Sequence, residues 1–368
     1  MSIKVFGIND SNIGLFIDFP YELFKNHPFW VSDFRKNVRH LLTSHPFWNH
    51  AEKKLFIAEK EGKPAGRIAA IVNHKHNDYH KTKMGFFGFF DSINDKKVSN
   101  MLFESACDFL KEKGMRRIAG PTNPSMNETC GMLIEGFDLP PMIMMSYNPD
   151  YYNELVLAAG FAKAKDLYAF KRETHIPFPE NFEKIVSRLY KRHKMKIKNA
   201  DTRNILRELD IFKNIYNQAW SRNWGFVPMD SEEMTDLAKS LGPILKPEYL
   251  YFAEMDGKAA GFTLLLPDFY LPLKEVNGKL NILNFIPFLL KMSRIRRGRL
   301  LALGVKKEFR NRGIELALIR HAIKWGEKSN WEWAELSWTL EDNDRINRII
   351  EMVGGKVYKK YRIYEKYL

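Results

Sequence analysis

An unbroken apolar run, Leu300–Val305 (LLALGV), predicts a buried strand, and the residues after it change period. Apolar positions then fall at Ile314, Ala317, Leu318 and Ala322, three and four apart, which predicts an amphipathic helix through Trp325. Between them lies a basic loop, Lys306–Gly313, with a single glycine. A strand that enters a helix N-terminus through such a turn leaves unpaired backbone N–H groups aimed at one place, and that place attracts phosphate. Downstream, the patterns predict a strand at Trp333–Thr339, a helix at Asp344–Val353 opened by Asn343, and a final strand at Lys356–Tyr364. Upstream they predict a strand at Thr202–Leu209, helices at Ile211–Asn223 and Ser231–Leu241, and a hairpin at Tyr249–Pro267.

The same punctuation occurs twice. Leu55–Gly66 (LFIAEKEGKPAG) matches Leu250–Gly261 (LYFAEMDGKAAG) at an offset of 195 positions, as from Ala58 to Ala253. Each copy reads as strand, Glu-Gly or Asp-Gly turn, strand. At that offset Asn148–Gly160 falls on Asn343–Gly355, both reading as an Asn-opened helix closed by glycine. Two landmarks at one spacing imply tandem copies of one fold. The division expected is domain one at 1–172, a basic helical linker at 173–199, and domain two at 200–368. Domain one departs at one point. Its strand Met84–Asp91 runs through three residues into the helix Asp95–Lys113 with no basic glycine loop, and Asp91 and Asp95 would repel an anion there.

Composition narrows the partners. With 368 residues, 45% hydrophobic and 28% charged, the chain holds two ordinary globular domains. No apolar run reaches the roughly 18–20 residues that span a bilayer, and the N-terminus lacks a secretory pattern. Two cysteines build neither a disulfide framework nor a metal site, so a reducing, cytoplasmic setting is expected. The formal charge of +14 calls for an anionic partner: nucleic acid, anionic lipid or a phosphate-rich co-substrate. Basic residues crowd Lys184–Arg207, His193 among them, and again Lys291–Arg299.

At the loop the chain resembles the GNAT superfamily of acyl-CoA N-acyltransferases, whose pyrophosphate motif is Arg/Gln-x-x-Gly-x-Gly/Ala. The matching run here is Arg310-Asn311-Arg312-Gly313-Ile314-Glu315, with Glu315 where the family carries a small residue. The family's downstream Asn helix corresponds to Asn343, with Ile350 where its tyrosine stands. The resemblance implies an α/β class fold: two tandem domains, each a mixed, mostly antiparallel sheet flanked by helices. It implies an acetyl-CoA or other acyl-CoA donor bound in domain two. Leu303, Gly304 and Val305 would bond the pantetheine arm, and Arg310, Asn311, Arg312, Gly313, Ile314, Glu315 and Asn343 would frame the phosphates.

Chemistry beyond positioning needs a proton route. Glu335 and Ser337 share a strand face with Trp333 because strand side chains alternate, which makes Glu335 the candidate base. Tyr358 is the candidate catalytic tyrosine near the last strand, with Tyr361 and Tyr364 as substitutes. His74, His76 and His80 (HKHNDYH) would place two imidazoles on one strand face, yet no carboxylate or cysteine pattern completes a zinc site, and no metal is expected.

The insertion Leu271–Arg299 contains the apolar run Ile282–Met292 and ends in a basic cluster, the pattern of a contact between 282–299 and an anionic membrane surface. The expected acceptor is a small or amphiphilic amine, and nucleic acid is not expected as a partner. Two alternatives remain: a peptidoglycan-bridge transferase using aminoacyl-tRNA, against which the lack of a helical-arm insertion speaks, and a non-catalytic pair acting as sensor or adaptor, for which Glu315 and Ile350 speak.

Overall fold

The computed structural model describes residues 2–9, 11–192, 194–242 and 244–368, so His193 of the basic run lies outside the described residues. The fold is a mixed α/β arrangement of sheets flanked by helices. The chain divides into two compact units interleaved in sequence. One comprises Met1–Leu167, Tyr270–Lys291 and Lys359–Leu368; the other comprises Tyr168–Phe269 and Met292–Tyr358.

In the first unit, strands Ile3–Ile8, Ala51–Lys60, Lys63–Asn73 and Met84–Ser92 are successive antiparallel neighbours. Arg117–Gly120 joins parallel to Met84–Ser92, and Tyr364–Tyr367 of the C-terminal strand lies antiparallel beyond it. The helix Lys96–Glu112 buries Val98, Leu102, Phe103 and Leu110 in a core with Phe87, Phe90 and Phe161. Asp95 caps this helix, its carboxylate accepting from the N–H groups of Lys97 and Val98 at 2.8 and 3.4 Å. Asp91 is buried and bonded to Arg67 at 2.7 Å. Burial, outweighing Arg67, raises its carboxyl above the usual range.

The second unit orders its strands as 168–173 of the strand Ala162–Glu173, then Trp333–Leu340, Arg297–Val305, Lys258–Pro267, Leu250–Met255 and Lys196–Asn199. The helix Ile314–Lys328 covers one face, with Ile314 and Leu318 against Gly261. The helix Ile205–Ala219 covers the other, with Phe212 against Phe262 at a ring separation of 4.4 Å. The alternation of Gly261 and Phe262 along their strand assigns the two faces.

Several sequence expectations change. The strand expected at Thr202–Leu209 is a 3-10 turn, Thr202–Asn204, followed by the helix Ile205–Ala219. Leu209 continues the helical spacing of Phe212, Ile215 and Tyr216, so the helix absorbs it. Within 173–199 lie a helix, Glu180–Arg192, and a strand, Lys196–Asn199, which pairs antiparallel with 251–254. HKHNDYH is not a strand but the helix His74–His80, capped by the Asn73 side chain. There the His76 and His80 rings meet one turn apart, centroids 4.5 Å apart and planes tilted by 38°.

The duplicated hairpin repeats in geometry as well as letters. Glu61-Gly62 and Asp256-Gly257 both turn with positive φ, 53° and 77° in one and 51° and 77° in the other. Such turns match the twist of the flanking strands. Ala58 pairs with Gly66, and Ala253 pairs with Gly261; the register then slips at Ala58/Glu59 and at Ala253/Glu254. Gly66 receives Val98 and Leu102 of its covering helix, as Gly261 receives Ile314 and Leu318. The second landmark repeats less well: Asn148 accepts from the Leu133 N–H at 2.7 Å, and Asp150 is the helix cap.

Candidate functional site

Strand Arg297–Val305 is antiparallel to Lys258–Pro267 along its whole length, from Pro267↔Gly298 to Gly261↔Val305. Its parallel pairing with Trp333–Leu340 runs only from Arg297↔Trp333 to Leu300↔Leu336. Beyond that point no strand among the described residues takes up the second edge of 302–305, where Leu303, Gly304 and Val305 lie. An open strand edge offers backbone donors and acceptors to an extended ligand.

The edge leads into the basic loop. Lys306 N–H bonds to the Ala260 carbonyl at 2.9 Å, and Phe309 is buried beneath the turn. Asn311 and Gly313 both take positive φ, 62° and 75°. This reverses the chain so that the helix starts at Ile314 without a side-chain cap. Among the described residues nothing accepts from the N–H groups of Asn311, Arg312, Gly313, Ile314 and Glu315. Unaccepted N–H groups at the positive end of a 15-residue helix can hold an anion. Lys306, Lys307 and Arg312 add positive potential, Lys307 and Arg312 being exposed.

Arg310 does other work: its guanidinium donates to the Ala219 carbonyl at 2.5 Å, tying the loop to the last turn of the helix Ile205–Ala219. Glu315 turns toward the helix Asp344–Met352. Arg345 of that helix donates to the Glu315 carboxylate and to the Asn311 side chain. The carboxylate therefore has a cation of its own, which the sequence patterns did not reveal because Arg345 is 30 residues away in the chain. Asn343 is the N-cap of that helix, its side chain facing the Ile346 N–H at 3.5 Å. Ile350, where the family tyrosine would stand, is 2% exposed in the core and packs on Gly355.

The two proton-route candidates touch. The Tyr358 hydroxyl donates to one Glu335 oxygen and the Ser337 hydroxyl to the other. Arg299, 2% exposed, lies 3.5 Å from the fully buried Glu335 carboxylate and bonds the Ser337 hydroxyl at 2.8 Å. Arg299 and Glu335 face each other because they are register partners across the last parallel pairs before the strands part. Tyr358 is half-buried, with its ring edge-on to Trp333. Tyr361 and Tyr364 are buried in the first unit, and the Tyr364 hydroxyl donates to Asn153 at 2.8 Å.

Three residues of the basic run Lys184–Arg207 are in ion pairs. Lys184 pairs with Glu180, Lys198 with Glu254 and Arg203 with Asp201 at 2.5, 2.6 and 3.1 Å. No described helix is long and apolar enough to cross a membrane.

Comparison with known proteins identifies the family. The model of the acetyltransferase (GNAT) family matches residues 209–354. The chain is 34% identical to the bacterial ceramide synthase of Caulobacter vibrioides over 96% of its own length and 94% of that protein's. It is 31% identical to Protein YghO of Escherichia coli over 98% of its length and 94% of that protein's. Among solved structures, a tandem GNAT protein from the clavulanic acid biosynthesis pathway superposes with a TM-score of 0.56 at 10% identity, covering 100% of this chain and 98% of that one.

Proposed function

The chain belongs to the GNAT superfamily and is an N-acyltransferase, and from that premise we propose that it transfers the acyl group of an acyl-CoA to the amine of an amphiphilic acceptor. Support for an amphiphilic acceptor comes from the 34% identity to a bacterial ceramide synthase, since a ceramide is the amide of a long-chain amino alcohol. The single observation that carries the donor assignment is the row of unaccepted N–H groups from Asn311 to Glu315, in the loop that follows the open strand edge 302–305.

In this reading the loop 306–315 holds the diphosphate through backbone N–H groups. Leu303, Gly304 and Val305 bond the pantetheine amides, and the thioester carbonyl lies in the cleft beside Glu335 and Tyr358. The amine nitrogen attacks the carbonyl carbon, and the new C–N bond forms as the C–S bond breaks. The amine proton passes to the Tyr358 oxygen while the phenolic proton moves to Glu335. Tyr358 then gives the proton it took from the amine to the departing thiolate and recovers its own from Glu335, so both residues end as they began. Most of the acceleration comes from holding the reactants together, and proton transfer adds roughly 10²–10⁴-fold. In the first unit the corresponding helix start is already capped, Asp95 accepting from the N–H groups of Lys97 and Val98, which leaves it less suited to an anion.

The test is calorimetric titration of the protein and its Gly313→Trp variant with acetyl-CoA and with long-chain acyl-CoAs, followed by amide formation on a long-chain amino alcohol. Binding to the protein and not the variant, with product formed, is the expected result. Equal binding by both, or none by either, defeats the donor assignment.

A further inference from the structure

We propose that the helix Ile282–Met292 is an interfacial anchor that lies in the surface of an anionic lipid bilayer. Its sequence, ILNFIPFLLKM, carries no acid and one base, yet it is not packed away. Ile282 is 93% exposed, Leu283 89%, Ile286 60%, Leu289 45% and Phe285 43%. Only the stripe Asn284, Phe288 and Met292, at four-residue spacing, is partly covered. Large apolar side chains standing together in water mark a contact surface rather than ordinary surface scatter.

The exposed helix is nevertheless held in place by polar contacts at its base. Asn281 accepts from the N–H groups of Leu283 and Asn284, both at 3.0 Å. Arg35 reaches the Asn277 carbonyl at 2.9 Å, and its own N–H bonds the Gly278 carbonyl at 3.3 Å. Gly278, at φ 73°, sits so tightly against Tyr21 that a Cβ would fall 2.4 Å from its ring. A firmly based helix that shows its apolar sides to water is built for a second medium.

Charge selects the medium. No acidic residue occurs from 277 to 307, while Lys279, Lys291, Arg294 and Arg296 flank the apolar run. Lys291 is paired with Glu275 and Arg296 with Glu332, at 2.5 and 3.4 Å, whereas Lys279 and Arg294 form no ion pair among the described residues. Such a flank is attracted to anionic headgroups and repels a second copy of itself. Eleven residues of helix extend about 16 Å against a hydrocarbon thickness of about 30 Å, so the helix lies in the interface and does not cross it.

The experiment uses the full chain without acyl-CoA, so its outcome is independent of the donor reading. Sedimentation is measured with vesicles of phosphatidylethanolamine and phosphatidylglycerol, and with phosphatidylcholine alone. Binding is expected to the anionic vesicles and to weaken with salt. Ile282→Ser/Ile286→Ser/Leu289→Ser lowers it by roughly tenfold or more at an unchanged melting temperature, and Lys279→Gln/Arg294→Gln by several-fold. Three results overturn the proposal: equal binding by the triple variant, no binding by the parent chain, or a concentration-dependent dimer abolished by the triple variant without any vesicle binding.

Discussion

Arg345 donates to the Glu315 carboxylate across two helices, with its other nitrogen on the Asn311 side chain. This contact decides what the basic loop can be. A bare carboxylate in the first helical turn would oppose a bound diphosphate; one paired to a guanidinium leaves the N–H groups of 311–315 as the loop's dominant polarity. It also ties the loop to the helix Asp344–Met352, so two motifs separate in sequence act as one wall.

Removing that cation should expose the conflict. Arg345→Ala is expected to weaken acyl-CoA binding by roughly tenfold or more, and Arg345→Ala/Glu315→Gln to regain most of the loss, because the second change removes the stranded charge. The stability cost should be only about 1 kcal/mol, since the Arg345 side chain is 48% exposed. Titration calorimetry and urea melts of the two variants check both points.

Glu335 and Tyr358 should separate into a structural and a chemical effect. Glu335→Gln leaves the buried Arg299 without its counter-charge and should destabilise by about 3–5 kcal/mol. Tyr358→Phe removes only a hydroxyl from a half-buried ring. It should lower kcat by roughly 10²-fold with KM for acyl-CoA little changed and the pH dependence of kcat flattened. A melt and a pH–rate profile for each variant give the answer; an unaltered kcat in Tyr358→Phe would remove it from the reaction.

The repeated turn makes an unusually direct comparison possible. Gly62 and Gly257 share a φ of 77°, and a Cβ at either would meet nothing within 4 Å. Gly62→Ala and Gly257→Ala should therefore each cost about 1 kcal/mol, from backbone conformation alone. Denaturant melts that differ by much more than a few tenths between the two would show that the hairpins are not energetically equivalent.

His76 supplies a pH dependence. Burial, together with the neighbouring His80, lowers its imidazole to about 4. The unfolded chain then binds a proton that the folded chain refuses between its ordinary value, about 6.5, and 4. Stability is whole above about pH 6.5 and falls as the pH drops toward 4, by up to about 3 kcal/mol. His76→Phe should reduce this slope in melts recorded across that range.

Much of this was legible along the chain, for a common reason: the signals were local. The strand-loop-helix from Arg297 to Lys328, the helix Ser231–Leu241 and both hairpins depend on periodicity and turn chemistry within a dozen residues. Where a pattern admitted two periods, tertiary packing chose. Leu209 read as part of a strand until Phe212 and Ile215 drew it into the helix, and the histidines of His74–His80 alternate or spiral equally well on paper.

The amino-acid order alone determined the family, the duplicated turn and the position of the glycine loop, since each is written in contiguous residues whose backbone preferences need no partner. Only the folded chain decided that Glu315 faces Arg345, that Arg310 caps a helix from 91 residues away, and that Glu335 meets Tyr358 and Arg299. Those pairings are set by sheet register and helix docking, and the direction in which a charged side chain turns is fixed by the neighbours that desolvate it.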